Sequence, residues 1–404
     1  MGLHPVGRLV FPMKSKTGSM VRHFRAKRHR DMFRITPESR ADIRRKLQQH
    51  ERGGQAAGPE EKDIVERIKG QTREGARNNV TRTECYRRMY LRNEELHWAL
   101  LAHMVSRSSG WCMTDLKGEW LPELLSEEKR NDLFDLYETA NFLIFQDAYP
   151  QLLLYEEGKR RGRNLFHLLP SFHVSRFMQP FWDHFWIHRD PALLTTALII
   201  NEQHYIEKRV IQSDSFQQRV LQTFPFITQE LLQMTQVVFP YREGSSIRLA
   251  GLTLEHFASL SERIEAGKRM YAVLFGIKEV QDGVNTWMKE VSHSGSRRDY
   301  WPGLFTTRGR TSYLKERMIA EKIREDAPRL YSPELGTVWQ DREPPRVWRK
   351  DWFTSMDALR YVKTPRIPFS FDMTGEYCFG LNKLERLALL KETFTAAANQ
   401  EGRI

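Results

Sequence analysis

Apolar residues recur at helical spacing over most of this sequence. In residues 126–149 they follow one another mostly at intervals of three or four, which predicts a long amphipathic helix. The same spacing, together with capping residues, predicts further helices that begin near Asn79, Glu94, Asp190, Ser213, Thr253 and Asn382. Alternating runs of β-branched residues are few, and no repeat of 20–50 residues occurs. The pattern therefore predicts an all-α fold built around a single core.

Capping and breaking residues set the expected helix ends. Thr36 precedes Pro37, which places a capping hydroxyl before a proline at the first helical position and opens a basic helix that runs to about His50. Gly110 follows the helix that begins near Glu94, and a glycine there is typical of a helix stop.

Composition shifts divide the chain into three regions. We expect a basic N-terminal arm with short helices over residues 1–78 and a helical core over 79–300. Residues 301–404 are expected to form an irregular wrap and a C-terminal helix. Between residues 301 and 368 the chain has seven prolines and four tryptophans, which is too aromatic for a disordered linker and too rich in proline for many long helices.

Overall composition narrows the class of protein. Of the 404 residues, 40% are hydrophobic and 28% are charged, enough apolar surface for a sizeable core, which excludes wholesale disorder. The three cysteines, Cys85, Cys112 and Cys378, have no CxxC spacing, which argues against a zinc ribbon or a disulfide scaffold and fits a reducing cytosol. Neither a signal peptide nor a transmembrane segment is recognisable, so we expect a cytoplasmic protein.

Positive charge is concentrated at the N-terminus. Residues 1–50 hold 13 of the 63 Lys and Arg but only three acidic residues, whereas the other 354 residues hold 50 basic and 48 acidic ones. Such a segment attracts nucleic acid or an anionic membrane surface. The candidate polyanion-binding residues are Arg22, Arg25, Lys27, Arg28 and Arg30. The alternative is a solvated terminus with no specific role.

Two polar segments, Arg107–Asp115 and His293–Asp299, are candidates for a shared ligand pocket. If they meet, we expect Arg107 or Arg297 to hold an anion while Asp115 orients the arginine. The candidate ligand-binding residues are Arg107, Asp115, His293, Arg297 and Asp299. The structural alternative is that Arg297 or Arg298 pairs with Asp115 and ties the wrap to the core.

Catalytic and metal signals are weak. Glu94 precedes His97 by three residues, and Glu290 precedes His293 at the same spacing, which on a helix would place each pair on one face. This motif is short and arises often by chance among 13 histidines. These four residues are weak metal candidates only. No catalytic set and no cofactor can be assigned.

Several stretches together resemble one bacterial family. They are Asn79–Thr83, His97–Gly118, Ile144–Pro150, Asn201–Glu207 and His293–Pro302. They are similar to the domain-of-unknown-function family 2515, the YppC-like proteins of spore-forming Gram-positive bacteria, over roughly residues 79–370. This resemblance implies no activity. Two functions therefore stay open: an interaction protein whose basic arm engages an anionic partner, or an enzyme or small-ligand binder that uses the polar pocket. Oligomeric state is also open.

Overall fold

The computed structural model describes residues 20–29, 31–49, 58–221, 235–254, 256–309, 318–319, 322–323, 328–343 and 350–401. Helices dominate this part of the chain, which confirms the expected fold class. They are α1 Pro37–Gln49, α2 Pro59–Gly75, α3 Asn79–Arg92, α4 His97–Asp115, α5 Leu121–Leu124, α6 Glu127–Arg161, α7 Gln179–His188, α8 Pro191–Ile206, α9 Asp214–Phe216, α10 Leu260–Gly276, α11 Lys278–Glu290, α12 Leu335–Val338 and α13 Thr374–Glu401. Within the described ranges, no helix is long and apolar enough to cross a membrane.

The core is built around α8. Every residue from Ala192 to Asn201 is buried, because α4, α6, α7 and α10 pack around this helix. Its start follows the sequence prediction: the Asp190 carboxylate accepts the N–H groups of Ala192 and Leu193, and Pro191 occupies the first turn, where it loses no hydrogen bond. A helix apolar on all sides is stable only in such an interior position.

The longest helix, α6, extends beyond its predicted end at Tyr149. Ser126 caps its start by accepting the N–H of Lys129, and the helix continues through Pro150 for 35 residues. It ends where Gly162 adopts the left-handed conformation, with φ of 68°. Pro150 itself is buried, so packing holds the helix together across a residue that locally disfavours it.

A β-hairpin ends at Thr253, where a helix start was predicted, and the helix begins instead at Leu260. β1 (Gln236–Glu243) pairs antiparallel with β2 (Ser246–Thr253) across a turn at Gly244. The prediction was wrong because Thr253 ends a strand, and the capping residue of α10 is Ser259 instead. Two-residue ladders also pair Phe305–Thr306 with Leu330–Tyr331, and Met318–Ile319 with Lys322–Ile323.

Gly110 does not stop α4, contrary to the prediction, since the helix continues to Asp115. A Cβ atom at this position would lie 2.3 Å from Asn79 Oδ1 and 2.6 Å from His293 Nε2. The glycine therefore allows close packing inside a helix rather than ending it. Glu94 lies in a turn outside α4, so it does not share a helix face with His97.

The N-terminal segment runs antiparallel to residues 359–372. His23 Nε2 accepts the N–H groups of Phe371 and Asp372, each at 3.2 Å, and Thr364 Oγ1 accepts the N–H of Ile35 at 3.1 Å. We call the described part of these two segments, residues 20–29, 31–49 and 359–372, the basic band. It has 12 Lys and Arg against four Asp and Glu, a net charge of +8.

Candidate functional site

The two polar segments meet where the loop after α11 packs on the C-terminal half of α4. Arg107 Nη2 lies 3.5 Å from Asp299 Oδ2, and Arg297 Nη2 lies 2.6 Å from Asp115 Oδ2. The five candidate ligand-binding residues therefore form two adjacent polar clusters, one inside the molecule and one beside a cleft.

The inner cluster surrounds Arg107, which is fully buried. Its guanidinium donates to the backbone carbonyls of Val291 at 2.7 Å and Ser292 at 2.9 Å, and it stacks 4.2 Å from the ring centroid of Trp287. Burial lowers the pKa of Arg107 to about 10, although the Asp299 carboxylate opposes this change. These contacts anchor the loop to α4.

His293 completes the inner cluster. Its Nε2 lies 2.9 Å from Asn79 Oδ1, and its Nδ1 lies 3.4 Å from Asp299 Oδ2. Burial lowers the pKa of His293. Burial acts to raise the pKa of Asp299, but His293, Arg107 and the Ser294 hydroxyl together lower it. The cluster thus places the Asp299 carboxylate between the Arg107 guanidinium and the His293 imidazole.

The outer cluster is built on the pair between Arg297 and Asp115. Arg297 Nε lies 2.9 and 2.7 Å from the two carboxylate oxygens, and Nη1 donates to Tyr300 Oη at 2.8 Å. Tyr300 donates in turn to Tyr377 Oη of α13 at 3.0 Å. Burial raises the pKa of Asp115 in spite of the nearby guanidinium. This pair joins α4, the loop and the C-terminal helix.

One side of this pair faces a narrow cleft. Asp115 keeps 28% of its side chain exposed there, whereas Arg297 keeps 6%. The walls are largely aromatic and aliphatic; they comprise Asp115, Glu119, Trp120, Leu121, Arg297, Phe305, Leu330, Tyr331, Tyr377, Leu381 and Leu384. The charged groups that face the cleft are the carboxylates of Asp115 and Glu119 and the guanidinium of Arg297, which is paired with Asp115.

The candidate polyanion-binding residues have different environments. Arg22 lies 3.5 Å from Asp372 and 3.6 Å from Glu243, and Arg28 donates to the carbonyls of His23 and Phe369. By contrast, the side chains of Arg25 and Lys27 are exposed. Arg30 lies outside the described residues. Two of the five cations therefore help to hold the N-terminal segment in place.

Exposed apolar side chains lie beside these cations. Phe24 is 72% exposed and its ring meets that of Phe369, which is 50% exposed, at a centroid distance of 5.0 Å. On the same helical turn, Met20 is 54% and Val21 is 48% exposed. We call Met20, Val21, Phe24 and Phe369 the apolar patch.

The weak metal candidates do not form one site. His97 Nδ1 lies 2.9 Å from Tyr271 Oη, Glu290 pairs with Arg242 at 2.5 Å, and His293 belongs to the inner cluster. Among the described residues, no group of three or more His, Cys, Asp or Glu is placed to hold a metal ion.

A buried polar network in the core was not predicted. Asp147 Oδ2 accepts from Asn201 Nδ2 at 2.5 Å and from Gln151 Nε2 at 2.9 Å. The network continues outward to two tryptophans, since Trp182 donates to Gln151 and Trp352 donates to Asn201. Within the described part of the chain, Asp147 Oδ1 has no hydrogen-bond partner.

Two carboxyl groups of this region have strongly raised pKa values. Burial raises the pKa of Asp147 to about 7 and that of Glu202, which accepts from Trp98 Nε1 at 3.1 Å, to about 8. Both residues stand in the stretches that carry the family resemblance, but spacing alone assigned them no role. The sequence offers one signal for a buried carboxyl group: an acidic residue in an otherwise apolar helical run, as at Asp147.

The comparisons with known proteins agree with one another. Residues 75–377 match the model of a protein family described as "Protein of unknown function (DUF2515)". The uncharacterised protein YppC of Bacillus subtilis (strain 168) is 35% identical over 329 residues, which cover 81% of this chain and 95% of that protein. No solved structure matches.

Proposed function

This chain belongs to the DUF2515 family of proteins of unknown function, and we propose from its own structure that it is an interaction protein that docks on anionic membrane surfaces through the basic band. The observation that carries the proposal is the apolar patch set among exposed cations. Exposed cations alone, or exposed apolar side chains alone, would not favour a membrane. Together they match the anionic head groups and the acyl chains beneath them.

Charge supplies the first part of the argument. The band has a net charge of +8, although the whole chain has only +12. Arg25, Lys27, Lys363 and Arg366 all expose their side chains along it. Each such cation near an anionic leaflet contributes about 1 kcal/mol, and the attraction weakens as salt is added.

The apolar patch favours a lipid surface over nucleic acid. An interfacial segment buries its apolar side chains at the boundary between head groups and acyl chains while its cations stay at the phosphate level. Phe24 and its neighbours are suited to this position because they are exposed and adjacent. A phosphate backbone alone would engage the cations and leave these side chains in water.

Vesicle binding tests this proposal. We expect Phe24→Ser to weaken binding to phosphatidylglycerol vesicles at least about tenfold, because burial of a phenylalanine side chain contributes about 1.5–3 kcal/mol. Arg25→Gln should weaken binding at low salt and have less effect at high salt. The measurement is co-sedimentation with vesicles of graded anionic content.

Leu390→Ser is the matched control, because Leu390 is 55% exposed and lies about 24 Å along α13 from the band. It should bind as the unchanged protein does. Equal binding by Phe24→Ser and the unchanged protein would contradict the proposal, as would tighter binding to duplex DNA than to the vesicles.

The cleft beside Arg297 and Asp115 supports a second candidate function, the binding of a small ligand. Because its carboxylates outnumber its guanidinium and its walls include four aromatic side chains, it suits an amine with an apolar body. An amine ligand differs from the anion expected from the sequence, because Arg297 is already paired with Asp115.

Two compounds of similar shape and opposite charge distinguish these ligand classes. We expect phenethylamine to raise the melting temperature of the protein and phenylacetate to leave it unchanged, since only the amine complements the excess of carboxylates over guanidinium in the cleft. Leu384→Trp, which narrows the cleft, should abolish the effect. A larger shift with phenylacetate, or no shift with either compound, would exclude this ligand class.

A further inference from the structure

A second pocket, open to the surface, lies between α1 and residues 359–362 of the basic band. Its α1 wall is formed by positions 37, 40, 41 and 44, which share one helix face. The complete lining is Pro37, Arg40, Ala41, Ile43, Arg44, Leu359 and Val362. We call it the α1 pocket. It combines two guanidinium groups with an apolar wall.

Without a bound anion, the two arginines of the α1 pocket are placed unfavourably. Arg40 and Arg44 lie one turn apart on α1, where like charges repel each other. Within the described residues, neither guanidinium has a hydrogen-bond or ion-pair partner. The repulsion would be relieved by an anion between them.

Neighbouring charges of α1 are arranged differently. Asp42 pairs with Arg45 at 2.6 Å and with Lys46 at 2.8 Å, and it lies 3.5 Å from His184 of α7. Its carboxylate is therefore occupied on the side of α1 away from the pocket. The helix pairs Arg45 and Lys46 internally, whereas Arg40 and Arg44 have no acidic partner in the described part of the chain.

We propose that the α1 pocket binds a phosphate monoester. Such a group carries close to two negative charges at neutral pH, which matches two guanidiniums, and each planar guanidinium can donate two parallel hydrogen bonds to phosphate oxygens. Ile43, Leu359 and Val362 provide the wall for the organic part of the ligand. A soluble phosphate monoester and a phosphatidic acid head group carry this same chemical group, so either can be the source of the ligand.

Calorimetric titration with glycerol 3-phosphate tests the site. We expect the double variant Arg40→Gln/Arg44→Gln to bind at least tenfold more weakly than the unchanged protein. Arg45→Gln, which makes the same change on the same helix outside the pocket, should bind within twofold of it. Because Arg40 and Arg44 are exposed, the double variant should keep its circular dichroism spectrum and melting temperature. Equal affinity in the double variant and the unchanged protein would overturn the proposal, and so would an absence of binding to both glycerol 3-phosphate and phosphatidic acid.

Vesicles identify the source of the phosphate. Adding phosphatidic acid to phosphatidylglycerol vesicles at constant surface charge should strengthen binding of the unchanged protein but not of the double variant if the ligand is a lipid. An effect of Arg40→Gln/Arg44→Gln on glycerol 3-phosphate alone would support a soluble ligand. Loss of phosphatidylglycerol binding in Phe24→Ser, with glycerol 3-phosphate binding retained, separates the membrane proposal from this one.

Discussion

Replacing Arg297 by alanine is expected to lower the free energy of unfolding by about 3 kcal/mol or more, because it leaves the carboxylate of Asp115 largely buried without its partner. It also removes the hydrogen bond from Arg297 to Tyr300 and the stacking of the guanidinium 5.2 Å from the ring centroid of Tyr377. Urea unfolding, followed by tryptophan fluorescence, measures the change.

Arg298→Ala provides the matched control, because the neighbouring side chain is exposed and should change stability by less than about 0.5 kcal/mol. The double variant Arg297→Ala/Asp115→Ala should lose less than the sum of the single changes, since removing both partners leaves no unpaired charge. Additive effects, or equal losses in the two arginine variants, would show that the pair does not tie the loop to α4.

Gly110→Ala is the second change for which we expect a large effect. Alanine normally favours a helix interior over glycine, but a Cβ here would overlap Asn79 and His293. We therefore expect a loss of about 3 kcal/mol, at the upper end of typical overpacking costs. Thermal unfolding with a calorimeter provides the measurement.

Gly70→Ala makes the same substitution in α2, where nothing lies within 4 Å of the added atom. It should stabilise the protein by about 0.5–1 kcal/mol, the usual advantage of alanine in a helix. Gly110→Ala should therefore lower the free energy of unfolding, whereas Gly70→Ala should raise it. A stabilising effect of both would mean that the loop carrying His293 does not approach α4 as closely as the structure indicates.

Local signals predicted some helix starts correctly, although the start at Thr253 was wrong. The proline and capping residue at Asp190 and Pro191 act within one helical turn, so the sequence contains all that determines that boundary. Gly110 shows the opposite case. Its neighbours Asn79 and His293 are distant in sequence, so the local pattern predicts a helix stop. In the structure, the glycine instead leaves room for these two side chains to pack against the helix.

The candidate site also has one part that the sequence predicts and another that it does not. Residue types indicated that the segments holding Asp115 and Arg297 would suit each other, and complementary charge is readable without a structure. The cleft beside them requires side chains from α5, the 305–331 ladder and α13, which only folding brings together. The raised pKa of Asp147 likewise comes from burial under several elements, which spacing does not report.

The pairing of His23 with residues 371 and 372 also sets an order of events during synthesis. About 350 residues separate the two partners, and at about 5–20 residues per second the ribosome needs roughly 20–70 s to make them. Phe33, whose ring meets that of Tyr271 at a centroid distance of 5.0 Å, gains this partner earlier, after roughly 240 residues of that synthesis. Arg22 likewise gains its partner Asp372 only at the end of that interval, so the last part of the chain to be made fixes the position of the first.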